Sequence, residues 1–241
     1  MNIALILYLS LIQLLAFPVS ERLHEVYAIE DFESGEIGGL PVGWFNQKGN
    51  LATKDFSEEL RPTYNYQILE EQNNKFLRFE GTYGKHMSYP LINKDGVDIF
   101  ETPMLSWKWR VHQAPKNANE DDDDRNDVAA SIYVAFDMGR VALFKKVPKT
   151  IRYTWSSTLP EGTELSKFYG NQKIVVMGQG DNTNGDWQSF SRNIVEDYKR
   201  LFGDNPPAKP IAILILSDAN NTNSPAKADY DDIMLHSDRS N

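Results

Sequence analysis

The chain alternates apolar and polar residues over short stretches more often than it repeats them at helical spacing. In Leu105-Ser-Trp-Lys-Trp-Arg-Val111, Trp107, Trp109 and Val111 point one way and Ser106, Lys108 and Arg110 the other. Ile151, Tyr153 and Trp155 alternate in the same way. Residues 128–136 are rich in small, β-branched and aromatic side chains, and short apolar runs lie at 173–177, 211–216 and 233–235. Further strands are expected at 27–32, 64–69 and 76–79. Turn residues separate them at Gly38-Gly39, Asn73-Asn74, 183–186 and Asn205-Pro-Pro207. One segment has the helical period. Ile194, Val195, Tyr198, Leu201 and Phe202 share a face, Gly203 offers a stop, and the prolines prevent continuation. The expectation is an all-β, jelly-roll-like antiparallel sandwich with one amphipathic helix near residues 191–202, covering a sheet end.

Residues 3–17 are different: a continuous apolar run closed by Pro18-Val19-Ser20. It is shorter than the roughly 20 residues of a membrane span and suits a signal-peptide core. Against this, no Lys or Arg precedes it, and an uncleaved anchor is the alternative. The expected organisation is a signal peptide at 1–20 and one domain at 21–241, exported to the periplasm or secreted. No second membrane span and no repeat of 20–50 residues follows.

Composition narrows the chemistry. The 241 residues include no cysteine, which excludes disulfides, Cys-ligated zinc, iron–sulfur clusters and a thiol nucleophile. A domain this long can bury a full core without staples. The net charge of −9 argues against a nucleic-acid binder. The acidic run Glu120 to Asp124 reads as a solvated loop between strands, because it lacks the glycine and the closing Glu of a calcium loop. His24, His86, His112 and His236 are dispersed, and there is no Gly-x-Ser-x-Gly elbow and no phosphate-cradling loop. Neither a triad assembled across the sequence nor a carboxylate pair is excluded by that. The reading leans away from an enzyme.

Three groups of residues carry candidate chemistry. Asp31 and Glu33 lie near one end of the domain and Asp231, with Asp232 in reserve, near the other. If the first and last strands are neighbours, these carboxylates converge, and calcium, a hard ion wanting six to eight oxygens, would relieve their repulsion. The alternative is that they face water on separate edges. Asp218, Asn221 and Thr222 follow a buried run, where they form either a polar cluster suited to sugar hydroxyls or a simple turn. Trp107 and Trp109 belong to a core face, whereas Trp187, beside the turn at Asn184-Gly185-Asp186, is the better candidate for an exposed platform. If a groove exists, Asp127, Arg152, Arg192 and Asp218 are the charged residues expected to converge in it.

An ordered set of motifs also runs along the chain: Asp31-Phe-Glu33, Leu40-Pro-x-Gly-Trp44, Leu105-Ser-Trp-x-Trp-Arg110, Asn126-Asp127 before Ile132-Tyr-Val134, Tyr153-x-Trp155, Arg192-Asn193 with Asp197-Tyr198, Phe202-Gly203, and Asp218-x-x-Asn-Thr222. This set resembles the bacterial domain of unknown function 3047 family, over roughly residues 29–236. In that pattern Arg stands at the position of Ser131 and Asp at the position of Asn220. The resemblance implies an exported bacterial protein and no particular activity. The opening Asp-Phe-Glu and closing Asp-Asp-Ile are also similar to the ends of galactose-binding and carbohydrate-binding jelly rolls that carry a structural calcium, an analogy of fold. The functional expectation is non-catalytic binding of a glycan or another cell-envelope component. An envelope structural protein and a polysaccharide hydrolase or lyase are the alternatives.

Overall fold

The computed structural model describes residues 25–46, 65–140, 146–181 and 184–238, the side chains of 137–140 and 146 excepted. The leader-like run at 3–17 and the proposed boundary at residue 20 lie outside the described residues. Among the described residues, twelve strands and one α-helix follow one another. Two six-stranded sheets pack face to face around one core. In the first sheet β5 (Met104–Gln113) and β12 (Ala226–His236) are central. β10 (Gln188–Asn193) flanks β5. The long β12 pairs along its first half with β3 (Asn74–Gly81) and along its second half with β1 (Val26–Glu30). β2 (Tyr66–Glu71) closes the edge. The first and last strands among the described residues are therefore neighbours, which is the condition on which the terminal carboxylates were expected to converge. The second sheet runs β4 (Met87–Pro90), β11 (Ala212–Asp218), β6 (Val128–Arg140), β7 (Lys146–Ser156), β9 (Gln172–Gln179) and β8 (Glu164–Lys167).

Alternation places the core. Trp107, Trp109 and Val111 of β5 face Ile132, Val134, Ile151 and Tyr153 of the opposite sheet, all in one buried cluster. Trp107 packs on Tyr153 with ring centroids 5.3 Å apart and stacks on Phe190 of β10 at 5.6 Å. Two buried hydroxyls tie the sheets together. Tyr230 Oη accepts from Ser131 N (3.1 Å) and donates to Leu216 O (3.1 Å), and Tyr66 Oη accepts from Ser217 N (2.6 Å). Both act beside the register shift at Leu216/Asp218, where β11 leaves backbone groups that strand pairing does not satisfy.

Some expectations need correction. The helix α1 (Ile194–Phe202) starts three residues later than expected, because residues 191–193 complete β10. Asn193 caps it by accepting from Glu196 N (3.1 Å), and Gly203 ends it at φ 73°. The sandwich is not wholly antiparallel, since β9 slots between β7 and β8 and runs parallel to β7. β4, β8 and β10 are short strands that the hydrophobic pattern did not announce. The turn expected at Asn73-Asn74 is centred one residue earlier, on Gln72 and Asn73, both left-handed at φ 54° and 64°. That is the backbone twist a two-residue hairpin needs. No helix among the described residues is long and apolar enough to cross a membrane.

Candidate functional site

The side of the first sheet facing away from the core carries the most concentrated chemistry. The strands that bury Leu77, Trp109 and Tyr230 present their alternate residues outward: Phe76 and Arg78 from β3, Asp229 and Asp231 from β12, Lys108, Arg110 and His112 from β5. Register sets the rows. Asp229 lies between Arg78 and Arg110, and Asp231 lies opposite Lys108.

Asp229 is completely buried and is the hub of this face. Arg78 donates to it twice, Nε to Oδ1 at 2.7 Å and Nη2 to Oδ2 at 2.8 Å. Arg110 Nε donates to Oδ2 at 2.6 Å, and His112 Nε2 lies 2.9 Å from the same oxygen. Burial alone would raise the Asp229 pKa. The hydrogen bonds from Arg78, His112 and Arg110 outweigh it and hold the carboxyl below its usual range. Glu71, from the β2 edge, accepts from Arg110 Nη2 at 2.7 Å. The Arg110 guanidinium also packs against two rings that meet each other edge-on, 4.9 Å from the Phe76 centroid and 4.5 Å from that of Trp187. Trp187 thus rests on a buried cation that is itself fixed from below.

A bulge next to this hub shapes the floor. Between Asp231 and Met234 the pairing of β12 with β5 slips, and Asp232 takes a left-handed φ of 49°. Successive carboxylates thereby serve different partners. Asp232 pairs with Lys108 Nζ at 2.6 Å. Asp231 accepts from Asn74 Nδ2 (2.9 Å) and from Asp232 N (2.8 Å). Burial, with the neighbouring Asp232 charge, outweighs the Asn74 bond and the attraction of Lys108, and pushes the Asp231 pKa to about 6. A cleft of about 340 Å³ opens here, lined by Glu71, Gln72, Asn74, Phe76, Lys108, Arg110, Trp187 and Asp231. Its rim includes the left-handed Gln72, an unfavourable backbone state for a side chain of that size.

The sequence-predicted residues scatter across the fold. Trp187 lines the cleft, and so does Asp231, which was expected to bind metal. Asp31 and Glu33 do not join Asp231. Asp31 Oδ1 accepts from Glu33 N (3.1 Å), while Glu33 Oε1 accepts from Lys75 N (2.8 Å). Among the described residues no group of three or more His, Cys, Asp or Glu is placed to hold a metal ion.

Asp127, Arg152, Asp218 and Asn221 gather elsewhere, at one end of the second sheet. Asp127 is spent on the turn that follows β11. It accepts from Asn221 N (3.1 Å), Thr222 N (2.6 Å) and Thr222 Oγ1 (2.6 Å). Asn221 Nδ2 donates to Asp123 O (3.2 Å), so the turn reading fits these residues better than an open polar cluster. Asp218 Oδ1 accepts from Gly84 N (3.2 Å) and Ala219 N (2.9 Å), and burial raises its pKa. Arg152 is buried, donating to Ser131 Oγ (3.1 Å) and Asn126 Oδ1 (3.0 Å). The Ser that stands where the family pattern has Arg therefore accepts from an arginine of the next strand.

Arg192 does not reach this group. It clamps α1 to the sandwich through Asp197 (Nε to Oδ2, 2.8 Å), whose carboxylate also accepts from Tyr153 Oη (2.8 Å). The groove of four charged residues does not form. The acidic run also differs from expectation at its first residue. Glu120 is fully buried and accepts from Ser156 Oγ (2.6 Å), while Asp123 pairs with Lys167 (2.9 Å).

Sequence reasoning missed Arg78, Arg110, His112, Asp229 and the hairpin residues 71–74. One signal was available. The outward residues of β5 are Lys, Arg and His, and those of β12 are Lys, Asp and Asp, which complement one another if the strands pair.

Fold and site together define a β-sandwich domain with an aromatic and amide-lined cleft on the outer face of one sheet. The chain belongs to the family described as "Protein of unknown function (DUF3047)", which matches residues 43–234. A search of curated proteins finds no match. Among solved structures, the family 30 carbohydrate-binding module of the cellulosomal cellulase Cel9D-Cel44B of Clostridium thermocellum is 13% identical, with 90% of this chain and 99% of that one covered and a TM-score of 0.42. The family 11 module of Lic26A-Cel5E from the same organism is 11% identical over 89% and 95% of the two chains, TM-score 0.38. The Trichoderma harzianum endoglucanase 3 is 8% identical over 90% and 99%, TM-score 0.37. Likenesses this loose carry neither a residue nor a ligand across.

Proposed function

We propose that this protein is a non-catalytic glycan-binding domain that seats a sugar chain on the outer face of its first sheet. The observation that carries this reading is the setting of Trp187. The other four tryptophans are buried, whereas Trp187 is only partly covered and lines an open cleft. Sugar rings offer an apolar C–H face to an indole and a rim of hydroxyls to planar amides and carboxylates. Asn74, Gln72 and Asp231 supply such partners around Trp187. The Asp229 network fixes the platform before any ligand arrives, which lowers the ordering cost of binding. The apolar run at 3–17 supports a site of action outside the cytoplasm.

The test is affinity electrophoresis of the full chain through gels containing neutral β-glucans, xylans, mannans or aminated glycans, one at a time. At least one polymer should retard the protein, and Trp187→Ala should weaken that retention by about tenfold, or ~1.4 kcal/mol. Retention by no polymer, or retention indifferent to Trp187, would contradict the proposal.

A further inference from the structure

Besides His112, which bonds Asp229, three cations and four carboxylates stand in and beneath the cleft, and Asp231 is the carboxylate that none of those cations bonds. The ionisable groups facing Asp231 are Lys108 and Arg110 of β5, Glu71 of β2 and the adjacent Asp232. Lys108 is held by Asp232 at 2.6 Å. Arg110 is held by Asp229 at 2.6 Å and by Glu71 at 2.7 Å. Arg78 is held by the same Asp229 at 2.7 Å. Among the described residues no cation stands within ion-pair distance of Asp231, whose partners are the neutral Asn74 amide and a backbone N–H. Lys108, the nearest cation, attracts Asp231 but is bonded to Asp232, so the buried carboxylate receives no hydrogen bond from a charged donor. Across the same cleft stands Trp187, an aromatic ring of the kind that attracts cations and that already packs on Arg110. An anionic sugar such as a uronate would meet uncompensated negative charge on this floor. A neutral sugar would leave that charge as it is. A protonated amine on the sugar ring would supply the missing partner.

Resting on the glycan-binding reading, we infer that the cleft selects a chain of amino sugars, with a ring ammonium seated at Asp231 beside Trp187. The ammonium offers three donors to a carboxylate that already holds its position through two fixed bonds. Hydrogen bonds to charged partners are the strong ones in such a setting.

The experiment is calorimetric titration of the full chain at about pH 6.5 with three β-1,4-linked hexaoses of one backbone. They differ at C2 alone, bearing a hydroxyl, an N-acetyl group or a free amine. The amine should bind about tenfold or more tighter than the hydroxyl form. That preference should shrink to about twofold in Asp231→Asn and decline with added salt. Equal binding of the hydroxyl and amine forms would overturn the inference and leave the glycan reading standing. Failure of all three has two meanings. If another polysaccharide is retained through Trp187, the amine inference alone is lost. If none is retained, both are lost. A lysine hexapeptide that binds as tightly as the amino hexaose would also overturn it, since the ammonium without the sugar would then suffice.

Discussion

Replacing Asp231 by Asn is expected to stabilise the protein at neutral pH and to leave it unchanged at acid pH. The carboxyl ordinarily releases its proton near 3.8 and in the fold does so at about 6. Burial is the main cause. It favours the neutral acid, and the bond from Asn74 offsets that only in part. Below pH 3.8 both folded and unfolded chains hold the proton, and Asp231 costs nothing. As pH rises from there to about 6, the unfolded chain releases its proton first. Stability falls through that window and stays lowered above it. The full displacement corresponds to about 3 kcal/mol at pH 7. Solvent in the open cleft screens part of this, so ~1–2 kcal/mol is the working figure. Asn is neutral throughout, keeps the side-chain oxygen that accepts from Asp232 N, and lets the Asn74 amide turn to offer its own oxygen. Urea unfolding of both proteins at pH 4, 5, 6 and 7 reads the difference directly. The variant should gain stability over wild type progressively between pH 4 and 6 and hold about 1–2 kcal/mol at pH 7. A variant less stable than wild type at pH 7, or a difference independent of pH, would refute the reasoning.

Two further outcomes follow from the same geometry. Asp229→Asn leaves two guanidinium groups without their shared carboxylate beneath Trp187 and should cost about 3–5 kcal/mol, read as a lowered urea midpoint. It should also free Trp187, seen as faster quenching of its fluorescence by acrylamide. The carboxylates of Asp31, Glu33 and Asp231 are each engaged by donors of the protein itself. A melt in EDTA should therefore match one in calcium to within about 1 °C, and a fall of several degrees would show a bound ion that stabilises the fold.

The strands that build the core were legible because their apolar residues recur every second position. Trp107, Trp109 and Val111, or Ile151, Tyr153 and Trp155, mark a buried face whatever lies opposite. The helix was legible from five residues and a glycine stop. β8 and β10 were not, since Glu-Leu-Ser-Lys and Gln-Ser-Phe-Ser-Arg-Asn carry one apolar residue each and are strands because a neighbour pairs with them. The insertion of β9 beside β7 depends on a register between distant segments, which local pattern does not encode. The site was legible in two residues, Trp187 and Asp231, and the second was read for a different task. Lys108, Arg110 and Asp229 look like a solvated strand face until β5 and β12 are laid side by side. Asp127 and Arg192 were expected to converge in a groove with Arg152 and Asp218. They prove to be fasteners, one for the loop after β11 and one for α1. Charge alone does not tell a ligand-facing residue from one that the protein satisfies itself.

Trp187 also provides the most direct test of the central claim. The other four tryptophans are buried, so acrylamide quenching of the intrinsic fluorescence reports mainly on this side chain. Titration with a retained glycan should shield it, reducing the quenching constant in step with saturation, and Trp187→Phe should abolish the response. A glycan that binds tightly yet leaves Trp187 as accessible as before would contradict the account.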